Sequence, residues 1–192
     1  ELSEYLDPAL RASKRGAEIT SRLLAFSRRQ PLAPTAVTIN ELVADTIVLL
    51  GRSLPGHILI KLETPDQPCT ANVDAGQLEN ALVNLAFNAR DSMPQGGRLT
   101  FQVSICSDFE NEVFDEPPTA TDYVRIDVTD SGNGFSKKAL KKAFEPFFTT
   151  KGGQAGSGLG LSMVYGFVKQ SGGFIRLKNF ATIGAQVSIL LP

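Results

Sequence analysis

"ENALVNLAFNARD", residues 79–91, keeps helical time. At 100° per residue, Leu78, Leu82, Leu85, Ala86, Ala89 and Met93 gather on one side, while Asn80, Asn84, Asn88 and Asp91 fall within about 80° of one another on the other. Such an apolar stripe fits a helix laid on a sheet. The opposite face is polar but barely charged. A solvated face ordinarily takes Lys, Glu or Arg, whereas each Asn costs roughly half a kcal/mol relative to Ala. Spacing alone leaves two readings open: a helix packed against polar loops, or a column of amides facing a ligand. Amide chemistry suits the second, because a neutral carbonyl oxygen can ligate a hard Mg²⁺ and the NH₂ can donate to phosphate oxygens without repelling them.

Outward from this helix, Asp74 is a start signal, with Gln77 in the capping-box position. Before it read a short strand at 36–39, a helix begun by Asn40 and a strand at 58–63. After it come strands at 98–105 and 123–129, separated by the acidic stretch "SDFENEVFDEPPTA", which has the composition of a surface loop. A helix near 159–171 and two strands, "FIRLKN" and "AQVSILLP", finish the chain. Helices and strands in this mixed order predict an α+β fold, a two-layer α/β sandwich whose mixed sheet is covered by helices on one face. Asp7-Pro8 and Gln30-Pro31 bracket a further long helix over 8–29. The proline-rich connector "QPLAPTA" sets it apart, so residues 1–34 read as a helical appendage and 35–192 as the domain proper.

The chain has 192 residues, 42% of them hydrophobic and 20% charged, enough apolar material for one core. A net charge of −1 lacks the basic excess that a general nucleic-acid or acidic-membrane partner calls for. Cys69 and Cys106 have neither CxxC nor Cys/His metal spacing and read as structural thiols of a reducing, cytoplasmic setting. No apolar run approaches the ~20 residues that span a bilayer, so direct membrane contact by this segment is not expected.

Two further stretches carry chemistry. In "YVRIDVTDSGNGF", residues 123–135, strand alternation puts Val124, Ile126, Val128 and Asp130 on one face, so a carboxylate ends an apolar stripe. Such a group needs a partner, and the exocyclic amino group of adenine is one candidate. Asp-Ser-Gly-Asn-Gly is also ordinary turn chemistry, and alone it reads as a hairpin turn. "GQAGSGLGLSMVYGFV", residues 153–168, sets Gly156, Gly158 and Gly160 at a helix start, where exposed N–H groups favour anions. It is neither a P-loop, lacking Gly-Lys-Ser/Thr, nor a dinucleotide fingerprint, since Met163 stands where that pattern wants glycine. Between these stretches lies "FEPFFTTK", residues 144–151: Phe144, Phe147 and Phe148 are candidate anchors and Lys151 a candidate phosphate contact. Lys137, Lys138, Lys141 and Lys142 read as a solvated helix face.

In order, the Asn-rich helix, the strand-end DxGxG, FExFFTTK and the GxGLGL helix start resemble the catalytic ATP-binding domain of sensor histidine kinases, in the GHKL (Bergerat-type) ATPase superfamily. The resemblance covers about Thr35 to Pro192, and residues 9–31 are similar to the second helix of the family's dimerisation and phosphotransfer domain. It implies ATP and Mg²⁺ as cofactors. Asn84 and Asn88 would be the catalytic pair, with Asn88 on Mg²⁺ and Asn84 and Arg90 near the phosphates. Asp130 would recognise adenine. Asp91, Gly132, Gly134, Thr150, Lys151, Gly156, Ser157, Gly158, Leu159 and Gly160 would complete the ATP site, with residues 131–157 as its lid. Implied partners are a histidine-bearing dimerisation helix, a second copy of the full-length kinase and a downstream response regulator of a phosphorelay.

Water-activating relatives such as heat-shock chaperones, gyrase subunits and mismatch-repair proteins carry glutamate at the position of Asn84. An amide is a poor base, so the chain resembles the phosphotransferases. It departs from the family at Gly184-Ala185-Gln186, where Gly-Thr-Thr is usual, so a threonine hydroxyl near adenine is missing. Two functions follow: a histidine kinase core, or a nucleotide-dependent interaction module without chemistry. The sole histidine, His57, follows Pro55-Gly56 and precedes a strand, and reads as a loop residue rather than a phosphoacceptor.

Overall fold

The computed structural model describes residues 31–107, 117–151, 156–180 and 184–192. The expected helix over 8–29 and most of the acidic stretch lie outside them. The elements are β1 (Thr35–Thr38), α1 (Ile39–Ser53), β2 (Ile58–Glu63), β3 (Thr70–Val73), α2 (Ala75–Ser92), β4 (Gly97–Cys106), β5 (Tyr123–Asp130), α3 (Lys137–Lys142), α4 (Gly160–Gln170), β6 (Phe174–Phe180) and β7 (Gly184–Leu191). β1 and β3 form a small antiparallel pair, and the main sheet runs β2-β4-β5-β7-β6. β2 and β4 are parallel and the other pairings antiparallel, which makes the sheet mixed as expected.

α2 is the asparagine helix, and its amphipathic reading decides the packing. Leu78, Leu82, Leu85, Ala86, Ala89 and Met93 are all buried, joined by Ala81. They meet Leu99, Phe101 and Val103 of β4, Ile126 and Val128 of β5, and Val187 and Ile189 of β7 in one core. Full burial of each large apolar side chain contributes on the order of 1.5–3 kcal/mol. α1 enters the same core through Ile39, Val43 and Leu50, and α4 through Val164, Phe167 and Val168. The helices therefore share one face of the sheet. The opposite face of β5 and β7 carries a polar cluster, in which Arg125 Nε donates to Asp127 at 2.9 and 3.0 Å and Gln186 Nε2 donates to Ser188 Oγ at 3.3 Å.

Asp74 caps α2, its Oδ1 accepting from Gln77 N at 3.0 Å. Its Oδ2 accepts from Ala33 N, also at 3.0 Å, so one carboxylate starts the helix and fastens the connector. Both bonds favour the ionised form, Ala33 most, and hold Asp74 below its ordinary pKa. The sequence reading omitted β3, four residues paired with β1, whereas α3 is the short helix whose Lys137, Lys138, Lys141 and Lys142 were read as a solvated face and are exposed. Cys69 is buried, and burial pushes its thiol pKa up, consistent with a structural role.

Candidate functional site

Three elements converge on one pocket. α2 contributes Leu85, Asn88, Ala89 and Ser92, the end of β5 contributes Val128 and Asp130, and β7 contributes Ala185 and Val187. Gly134, Phe135 and Leu161 close it. Its polar side chains are Asn88, Ser92 and Asp130, so its walls are mostly apolar and few groups are left to fix a ligand's orientation.

Asn84 and Asn88 are half-buried and face the start of α4, because a Cβ placed on Gly160 would lie 3.4 Å from Asn84 Oδ1 and 3.6 Å from Asn88 Nδ2. Asn84 Nδ2 donates to the Asn80 carbonyl at 2.9 Å, which leaves its Oδ1 directed at the gap. Asn80 is exposed and outside the pocket. α4 begins without a side-chain cap: Leu159 is its N-cap residue, and its side chain is buried, so any ligand contact there falls to the backbone. Exposed N–H groups at such an end attract anions.

Asp130, half-buried, lines the pocket from the end of β5. Its Oδ1 accepts from Gly132 N at 2.8 Å and from Ser92 Oγ at 3.0 Å. Burial is the stronger influence and raises its pKa, against the lowering effect of those donors and of the Ala185 N–H. Gly132 is required by close approach, since a Cβ there would come within 2.2 Å of Ser92 Oγ. Gly134 belongs to the same loop, which Asn179 of β6 clamps by accepting from Phe135 N at 2.8 Å and donating to Phe135 O at 2.6 Å.

Near the end of α2, Asp91 joins the two cations expected near phosphate. Its carboxylate pairs with Lys151 Nζ and, at 2.7 Å, with Arg90. Partial burial pushes its pKa up, but Lys151 and Arg90 outweigh that and hold it below the ordinary value. Arg90 also lies over the Phe87 ring, 4.8 Å from its centroid. Asp91 is therefore placed as a counter-ion to Lys151 and Arg90. Phe144 anchors its segment on Tyr165 of α4, ring centroids 5.0 Å apart, whereas Phe147 is 58% exposed. Phe147 has φ 66°, and its N–H donates to the Gly158 carbonyl at 2.9 Å. Gly158, at φ 66°, could not carry a Cβ without meeting the Phe147 carbonyl carbon at 2.4 Å. Gly156 packs on Thr149 and Lys151, Ser157 Oγ accepts from Leu159 N at 3.4 Å, and Thr150 is exposed beside Lys151. Residues 152–155 of the expected lid lie outside the described residues.

Of the expected site residues, Asn88, Asp130 and Gly134 line the pocket; Asn84 and Gly160 adjoin Asn88, Gly132 adjoins Asp130, and Arg90, Asp91 and Lys151 form an ion-paired group at the end of α2. Ser92 and Asn179 went unread in the sequence, because their partners lie 38 and 44 positions away. The Ala185 side chain is only a methyl, while its N–H donates to Asp130, and Gln186 points to the other face of the sheet. Among the described residues no three carboxylate, imidazole or thiol groups converge on a metal cage. The amide oxygen of Asn88 nevertheless suits a hard cation held jointly with phosphate.

A family model described as "Histidine kinase-, DNA gyrase B-, and HSP90-like ATPase" matches residues 73–192, and the chain belongs to that ATPase family. Sensor kinase CckA of Brucella abortus (strain 2308) is 42% identical to it over 182 residues, 94% of this chain and 19% of that protein. The chain thus spans about a fifth of that relative. Full-length ShkA, solved in complex with AMPPNP, superposes with a TM-score of 0.76 at 23% identity, covering 98% of this chain and 38% of ShkA. Histidine kinase ThkA, solved in complex with response regulator protein TrrA, gives 0.73 at 23% identity, covering 100% and 51% of the two chains. At these identities the two structures establish the fold.

Proposed function

We propose that this chain is the ATP-binding catalytic core of a two-component sensor histidine kinase, which presents the γ-phosphoryl of Mg·ATP to a histidine on a separate helical segment and thence to a response regulator. The observation that carries this reading is the placement of Asn84 and Asn88 against the uncapped start of α4, with Asp130 lining the adjoining apolar pocket. The named neighbours add support: one binds AMPPNP and another a response regulator.

In this reading the base enters the pocket and its amino group donates to Asp130. The phosphates run toward the α4 N–H groups, Lys151 and Arg90. Asn88 would hold Mg²⁺ together with phosphate, and the ion would supply charge neutralisation. What the chain's own residues do is position and screen, as phosphoryl transfer requires. Asn84 is neutral and cannot deprotonate water effectively, which disfavours hydrolysis. No helix among the described residues is long and apolar enough to cross a membrane.

The acceptor is not His57. This histidine is exposed in the turn before β2, and its carbonyl accepts from Gly97 N at 3.2 Å. Incubated with radiolabelled ATP and Mg²⁺, the chain should gain no acid-labile phosphate itself yet label an added helical dimerisation fragment bearing a histidine. ATP binding without transfer to any such fragment would favour a nucleotide-dependent interaction module. Self-labelling abolished by His57→Ala would overturn the assignment.

A further inference from the structure

Asp91 engages both of its oxygens with cations. Oδ1 accepts from Arg90 Nε at 2.8 Å and lies 2.7 Å from a terminal guanidinium nitrogen of the same residue, while Oδ2 pairs with Lys151 Nζ. The two cations are held differently. Arg90 is the chain neighbour of Asp91 and is fixed over the Phe87 ring, so its place depends on α2 alone. Lys151 arrives from 60 positions away, and its side chain lies along the glycine turn before α4, where a Cβ on Gly156 would stand 3.3 Å from Lys151 Cδ. Asp91 is three residues past Asn88 on the same side of α2, and Asn88 faces Gly160 at the start of α4. The carboxylate thus occupies Lys151 beside the helix start to which the phosphates are assigned. A polyphosphate arriving there meets a lysine already paired and a carboxylate that repels it. Losing Lys151 would leave a half-buried carboxylate unpaired, were it not that Asp91 keeps Arg90, so the exchange strands no charge.

We propose that Asp91 is an autoinhibitory counter-ion: it holds Lys151 until a polyphosphate displaces it from that lysine, and Arg90 then remains its partner. This rests on the ATP reading above. Because the pair must be broken first, polyphosphate affinity is held below what an unpaired lysine would give. The side chains of Lys151 and Asp91 are 31% and 26% exposed, so solvent screens the pair and the effect is modest, about threefold in affinity.

The test is a double-mutant cycle read by calorimetry, with ATP and adenosine as ligands for the wild-type chain, Asp91→Asn, Lys151→Met and the double variant. Asp91→Asn should bind ATP about threefold more tightly and Lys151→Met more weakly. The double variant should match Lys151→Met, since no lysine remains to be released. Adenosine carries no phosphate and should bind all four alike, which also reports that each is folded. An ATP gain of equal size with and without Lys151→Met would overturn the proposal, because removal of a negative charge would then account for it. Unchanged or weaker ATP binding by Asp91→Asn would overturn it too. Failure of the wild-type chain to bind ATP would instead refute the ATP reading, and this inference with it.

Discussion

Asp130 is held in a form that costs the fold something. Burial raises its pKa in the folded state, so the folded chain binds a proton more readily than the unfolded one. The stability tied to this group is fully present below the ordinary carboxylate pKa and is lost as pH rises through the raised value. Asp130→Asn removes that titration. Urea denaturation from about pH 4 to about pH 8 should show the variant gaining stability relative to wild type as pH rises, then levelling off. A flat or falling difference would show that Asp130 is not penalised by burial. Asp91 is the opposite case, drawn down by Lys151 and Arg90. The sequence put Asp91 on the polar face correctly, but no spacing rule reveals that a lysine 60 positions later lands on it. Asn84, Asn88 and Asp130 were legible because each is an exception to its local pattern: amides where charges are usual, and a carboxylate ending an apolar stripe. Ser92 breaks no pattern, so only its partner across the fold marks it.

Helix α2 and the turn around Gly158 hold these side chains in place. Asp74 caps α2 and also fastens the connector at Ala33, so Asp74→Ala should lower stability by about 1 kcal/mol, seen as a melting temperature about 2–4 °C lower. A variant melting with wild type would mean the cap contributes nothing. Gly158 matters differently. Its left-handed φ and its contact with Phe147 leave no room for a methyl, so Gly158→Ala should displace the turn from the start of α4 and weaken ATP binding about tenfold or more. Global melting should change much less, since neither residue lies in the core. Equal affinity would detach this turn from the site. Long, strongly periodic elements such as α2, β4 and β5 were readable to within a residue or two. β3 was not, because four residues pairing only with β1 carry too little alternation to stand out. α3, with one buried residue, offered only its lysines.

At the scale of the whole molecule, a mixed sheet with its helices on one side leaves a pocket where the end of β5 meets the side of α2 and the start of α4. The layers followed from element order, and the pocket from three motifs set far apart in sequence. Their convergence had to come from the resemblance, since no single motif specifies it. The central claim is that Mg·ATP binds in this pocket, with metal and base read by different residues. Isothermal calorimetry of ATP, with and without Mg²⁺, on the wild-type chain, Asn88→Ala and Asp130→Asn tests it most directly. The wild-type chain should bind more tightly with Mg²⁺, Asn88→Ala should lose that metal dependence, and Asp130→Asn should weaken binding about tenfold or more in both conditions. Wild-type affinity and metal dependence in both variants would contradict the account.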